Sequence, residues 1–180
     1  RDFTNLVALD IDQPISEKIT SSARNMARKA HKSGIEILHE GTVGDFWKVM
    51  SQTFQKHNTQ PTHTLEEFYW LQKYFPDKVY VDIAYFKDEP VAGVGYFVLN
   101  DRVNSSFYLC QNPERQQTQA LSLLIYRALL DSLEQGYKWF DFGTSSVSMQ
   151  GRENIFRFKE SFGAIGQFRE TYRWCNYNSK

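Results

Sequence analysis

Cysteine, proline, net charge and long apolar runs are all scarce in this chain, and each scarcity removes a class of protein. Only two of 180 residues are cysteine. Cys110 and Cys175 supply neither a disulfide framework nor a Cys-x-x-Cys metal pair, which fits a reducing, cytoplasmic setting. No segment approaches the ~20 apolar residues that a bilayer-spanning helix needs, and no secretory apolar region is present. A soluble domain with no membrane span is expected. The 21 Lys+Arg balance the 21 Asp+Glu, so the formal net charge is zero. That excludes a global field for nucleic acid: DNA is not an expected partner, and contact with RNA or phosphate has to use a local patch. His31, His39, His57 and His63 lack ligand spacing, so they read as surface or cap residues and no metal is expected.

Aromatic residues, by contrast, make up 16% of the chain, and many lie after residue 137. The length suffices for one domain with one core. Residues 3–10 read as a strand, although no earlier strand in the chain can pair with it. Pro14 to Ser33 reads as one helix, with Ile19, Ala23, Met26, Ala27 and Ala30 on a small-residue face for close packing. Arg24, Arg28 and Lys32 form a basic stripe on another face; it is either a solvated surface or a track for tRNA phosphates or another anion.

Ile35 to Leu38 is a short strand, Val43 to Lys56 a helix, and Thr64-Leu65-Glu66-Glu67 a capping box that opens a helix through Tyr74. Val79–Phe86 and Val91–Leu99 form a hairpin about a turn at Lys87-Asp88-Glu89-Pro90, and Val103 to Cys110 makes a third strand. Gly93 and Gly95 mark a bulge or a close backbone approach. Asn112 to Gln117 reads as a loop and Thr118 to Gln135 as the strongest helix, stopped by Gly136. Then come a buried strand at Tyr137–Phe142, a helix at Glu153–Phe162 and one or two aromatic strands over Ile165–Tyr177. The fold class is therefore mixed α/β, around one mostly antiparallel sheet.

The order from Ile35 onward resembles the GNAT acyltransferase fold. Arg24 to Gly34, Phe140-Asp141-Phe142-Gly143 and Phe158-Lys159-Glu160-Ser161-Phe162-Gly163 are similar to the basic helix, late strand and following helix of the FemAB-like branch. Proteins of that branch carry two GNAT-like halves. The resemblance then implies that residues 1–33 link from a preceding half and that residues 34–180 are the second GNAT-like domain. A missing half would leave an exposed apolar patch beside Leu6–Leu9; a homo-oligomer is the alternative to a preceding half as partner.

The resemblance implies transfer of an acyl or aminoacyl group, from acyl-CoA (acetyl-CoA or another) or from aminoacyl-tRNA, to a small-molecule or peptide amine. The pyrophosphate-binding loop of GNAT proteins matches Arg115-Gln116-Gln117-Thr118-Gln119-Ala120, the expected cofactor contact. Thr118 stands where the family has its central glycine, and its Cβ obstructs close approach of backbone to phosphate. Lys159 is implied to face the reacting carbonyl, as an ammonium aimed at a developing oxyanion; the alternative is a solvated lysine paired with Glu153 or Glu160.

Asp141, at a strand end between two phenylalanines, can take a proton from an attacking amine or simply cap the N–H groups of Gly143 to Ser145. Tyr108 is a candidate general acid or a packing residue. Gly143, Thr144, Ser145 and Asn154 are the expected substrate contacts, the middle two within a Ser/Thr-rich loop that also holds Ser146 and Ser148. A degenerate, non-catalytic GNAT-like binding module is the remaining alternative.

Overall fold

A computed structural model describes residues 2–147 and 150–174. Its centre is a seven-stranded sheet in the order β2-β3-β4-β5-β6-β1-β9. The strands are β1 (Asp2–Ala8), β2 (Ile35–Leu38), β3 (Val79–Phe86), β4 (Glu89–Phe97), β5 (Val103–Gln111), β6 (Trp139–Thr144) and β9 (Ile165–Arg169). A small hairpin, β7 (Ser146–Val147) and β8 (Gln150–Gly151), lies outside it. Every neighbouring pair is antiparallel except β5 and β6, which run parallel.

The helices are α1 (Ile15–Lys18), α2 (Ser21–Lys32), α3 (Val43–Lys56), α4 (Leu65–Tyr74), α5 (Ala120–Glu134) and α6 (Glu153–Ser161). Alternation along the strands gives the sheet two apolar faces. On one, Ala23, Ala27 and Ala30 of α2 meet α5 over Ala84, Val94 and Phe140; the small face of α2 is what allows this close approach. On the other, Phe46, Val49 and Met50 of α3 and Phe68 of α4 cover Val79, Val81, Ile83 and Tyr108.

Three threonines start three helices. The hydroxyls of Thr20, Thr42 and Thr64 accept the N–H groups of Ala23, Asp45 and Glu67, each at 3.2 Å. At Thr64 the Glu67 carboxylate completes the capping box that the sequence predicts. Thr20 corrects the expectation of one helix over Pro14–Ser33. Ile19 and Thr20 are extended (ψ 151° and 155°), and the Thr20 N–H leaves the helix to bond Ser161 O at 2.9 Å. The cap cluster Thr20-Ser21-Ser22 therefore outweighs the apolar periodicity that runs through it.

The β3–β4 turn is also tighter than predicted. Lys87 and Asp88 take positive φ (51° and 63°), a two-residue hairpin, and Glu89 and Pro90 already belong to β4. Pro90 is tolerated because it falls at a register shift, opposite Tyr85. At the far end, Ile165–Tyr177 is not strand throughout: β9 ends at Arg169, residues 170–174 take no strand, and residues 175–180, Cys175 among them, lie outside the described residues.

The apolar patch expected beside Leu6–Leu9 has a counterpart on β9, where Ile165, paired with Leu6, is 54% exposed and Phe168 61%. β1 lies between β6 and β9, paired to both, and Val7 and Leu9 are buried. The strand that had no earlier partner finds two later ones.

Candidate active site

The parallel pair β5–β6 opens a cleft. The two strands pair at Val103–Trp139, Asn104–Phe140 and Ser105–Asp141 and then diverge. Beyond that point β5 follows β4, up to Gln111, while β6 follows β1 to the Thr4–Thr144 pair. Parallel strands parting in this way leave a gap that their own hydrogen bonds no longer fill. A cavity of about 860 Å³ occupies it, lined by Ser105, Tyr108, Asp141, Gly143 and Lys159 together with the aromatic walls Phe97 and Phe107.

Gly143 organises the floor. A register shift between β1 and β6 falls here, and Gly143 adopts φ +70°, a conformation a side chain would strain. Its N–H then turns to Asp141 Oδ1 at 2.7 Å and its carbonyl to Lys159 Nζ at 2.9 Å. Lys159 also donates to Thr144 O at 2.9 Å. An ammonium has three N–H donors; these carbonyls take two, at the edge of the cleft. The side chain is 4% exposed, and burial pushes its pKa down to about 8, with the Asp141 charge opposing that shift. The solvated alternative is therefore excluded: Glu153 pairs instead with Arg157.

Asp141 is buried and held as a cap. Its Oδ1 accepts from Gly143 N and from Thr4 Oγ1 at 2.6 Å, and its carbonyl accepts from Ser105 and Ser106. Tyr108 lines the same cavity. Its hydroxyl lies 2.8 Å from His63 Nδ1 and accepts the His63 N–H at 3.2 Å. Burial pushes its pKa up, so it holds its proton at neutral pH. His63 is thus no surface histidine: it stacks on Phe97 and fixes Tyr108.

The expected substrate contacts divide. Gly143, Thr144 and Asn154 line the cleft. Ser145 does not. It is 2% exposed and turned toward β1, donating to Asn5 Oδ1 at 2.5 Å, while Ser146 bonds Asp2 and Phe3. Ser148 lies outside the described residues.

The cofactor run divides too. Gln116 lines the cleft, but Pro113–Thr118 forms a 3-10 helix closed on itself. Glu114 N and Arg115 N bond the side chain and carbonyl of Asn112, Gln119 N bonds Gln116 O, and Ala120 N bonds Thr118 Oγ1. Thr118 Oγ1 itself donates to Arg115 O at 2.7 Å. The Arg115 guanidinium is clamped on Glu89 at 2.7 and 3.0 Å. Within the expected cradle the N–H groups of Arg115, Gln119 and Ala120 are thus turned inward, the last of them onto the Thr118 hydroxyl. Ala120 is fully buried, and Gln117 does not line the cavity.

Sequence reading missed three contributors: Thr4, which reaches Asp141 from the other end of the chain, and Lys56 and Arg169 at the rim. Lys56, Lys159 and Arg169 outnumber Asp141, the one acidic side chain lining the cavity among the described residues.

Over residues 18–160 the sequence matches the acetyltransferase (GNAT) domain family. The chain belongs to the GNAT family. Its structural likenesses agree with that placement. FemX superposes with a TM-score of 0.76 at 11% identity, over 91% of this chain and 59% of that one. The C-terminal domain of a protein assigned as lysylphosphatidylglycerol synthetase, from Agrobacterium fabrum, gives 0.65 at 15% identity, over 92% and 57%. An acetyltransferase from Trypanosoma brucei gives 0.51 at 13% identity, over 80% and 99%. No curated protein matches the sequence. This GNAT chain thus spans somewhat over half the length of FemX and of the Agrobacterium chain. The sheet and the flanking helices are those of a GNAT fold, and acyl transfer is the general chemistry of the family. Among the described residues no helix is long and apolar enough to cross a membrane.

Proposed function

We propose that this GNAT chain transfers an aminoacyl group from aminoacyl-tRNA to a small-molecule or peptide amine. The observation that carries the donor is the closed turn at Arg115–Ala120. A coenzyme A pyrophosphate needs outward N–H groups at a helix start, and here the N–H groups of Arg115, Gln119 and Ala120 and the Arg115 guanidinium are bonded within the protein. Acyl-CoA, favoured by the family's name, remains the second reading.

The cleft suits a donor whose acyl group enters from an anionic carrier, since Lys56 and Arg169 stand at its rim. The aromatic walls take the acyl side chain. The amine nitrogen attacks the ester carbonyl, a C–N bond forms, and the C–O bond to the carrier breaks as that oxygen takes up the proton the amine gives up. Lys159 meets the carbonyl oxygen as it becomes negative, using the donor that Gly143 O and Thr144 O leave over. Asp141 positions this group through Gly143 and Thr4. No covalent intermediate is required when both reactants are held in line.

Thermal unfolding with acetyl-CoA, set beside binding to bulk aminoacylated tRNA at varied salt, tests the donor. A ligand at 100 times its dissociation constant adds about 2.7 kcal/mol. The expected result is no shift with millimolar acetyl-CoA, and tRNA binding that weakens steeply with salt. A saturable acetyl-CoA shift would reverse the order of the two readings.

A further inference from the structure

A second cleft lies behind the first. Side chains alternate along β4 and β5, so Phe97 and Ser105 line the front cavity while their neighbours Tyr96 and Asn104 line a rear one of about 530 Å³. That volume falls within the range of small-ligand sites. The C-terminal half of α5 forms one of its walls.

Its charge has the opposite sign. Glu40, Asp77, Asp82, Asp131 and Glu134 face it, against His39 and Arg127. Arg127 is engaged by Asp131 Oδ1 at 3.0 Å. His39 lies between two carboxylates, with Nδ1 3.4 Å from Asp82 Oδ1 and Nε2 3.8 Å from Asp131 Oδ2. The helix adds to the imbalance. A carbonyl end is stabilised by cationic side chains, yet the last turn of α5 holds no basic residue and carries Asp131 and Glu134 instead.

Two buried acceptors are left over. Asn104 is 2% exposed; its Nδ2 donates to Ser132 Oγ at 2.9 Å and Tyr80 Oη at 3.1 Å, while its Oδ1 has no partner. Asp131 Oδ2 is likewise buried without a hydrogen bond. Asp82, 6% exposed, accepts from Tyr96 Oη at 2.9 Å, and burial pushes its carboxyl pKa up. Buried acceptors are normally satisfied. An occupant bearing N–H donors would satisfy Asn104 Oδ1 and Asp131 Oδ2, and a positive charge on it would suit the five carboxylates that face the cleft. Among the described residues no group of three or more His, Cys, Asp or Glu side chains is placed to hold a metal ion, so the fitting occupant is an organic cation.

We propose that the rear cleft binds a small aliphatic ammonium ion, its N–H groups directed to Asp131 and Asn104 and its carbon chain lying along Tyr80 and Tyr96. The proposal is independent of the acyl-transfer reading, because the two cavities share no lining residue.

Titration of the full chain with 1,4-diaminobutane at constant ionic strength, followed by thermal unfolding, tests it. The expected result is a saturable rise in Tm that neutral 1,4-butanediol does not reproduce. Asp131→Asn, close in shape, should raise the half-saturating concentration about tenfold or more, the loss of one charged partner. Should that variant fail to fold, the exposed rim pair Asp77→Asn and Glu134→Gln must still weaken binding. A non-saturating response, an equal response to the diol, or unchanged binding in the variants would overturn the proposal and leave ordered water as the occupant.

Discussion

Replacing Lys159 with methionine is expected to lower the transfer rate by about 10²–10³-fold, the typical loss of one oxyanion donor. The pH profile separates this role from a structural one. Burial pushes the Lys159 pKa down from 10.5 to about 8. Below that value the ammonium is present, so the wild-type rate should be level there and fall as pH rises through it.

Stability should move the other way. Between about 8 and 10.5 the unfolded chain binds the proton that the folded chain has lost, so folding stability rises with pH across that window. A rate that falls while stability rises, with both trends absent in Lys159→Met, would assign both to this one group. A Lys159 that only braced the loop through Gly143 O and Thr144 O would leave the methionine variant's rate with the wild-type pH dependence.

The second large effect is on stability. Phe46 is fully buried between α3 and the sheet, and its ring fills the hollow above Gly93 and Gly95. A Cβ built on Gly93 would lie 2.7 Å from that ring, and one on Gly95 2.9 Å. Phe46→Ala should cost about 3–5 kcal/mol, read from the denaturant midpoint at unchanged slope. Gly93→Ala alone should also destabilise, because the ring cannot retreat from a packed core. In the Phe46→Ala background the same change enters vacant space and should cost much less. This non-additivity is the signature of direct contact; additive costs would refute it.

These two regions also show how far the sequence reaches. The helix starts at Thr42 and Thr64 and the glycine approaches at Gly93 and Gly95 are local chemistry, and they were readable. The break at Thr20 was written in the sequence too, as a cap cluster, but apolar periodicity masked it. Asp141 was named from its place at a strand end and Lys159 from the family resemblance of its helix, and the fold brings them to one cleft.

What could not be read depends on contacts between distant segments. Thr4 reaches Asp141 across 137 positions of sequence, and Ser145 turns from the cleft because Asn5 of β1 draws it. The rear cleft has no motif at all. Asn104 and Asp131 look like an ordinary strand residue and an ordinary helix surface residue until α5 is laid over β5. The Arg115–Ala120 run lies between the two cases: the Thr118 substitution was legible, but the inward bonds of the Arg115, Gln119 and Ala120 N–H groups required the backbone.

The most direct test follows label from two donors under single-turnover conditions. The chain is given aminoacyl-tRNA labelled in the amino acid, or acetyl-CoA labelled in the acetyl group, with a mixture of peptide amines as acceptor. The account expects label to pass to the amines from the tRNA alone, and to stop doing so in Lys159→Met. Transfer from acetyl-CoA, or transfer from the tRNA undiminished in Lys159→Met, would contradict it.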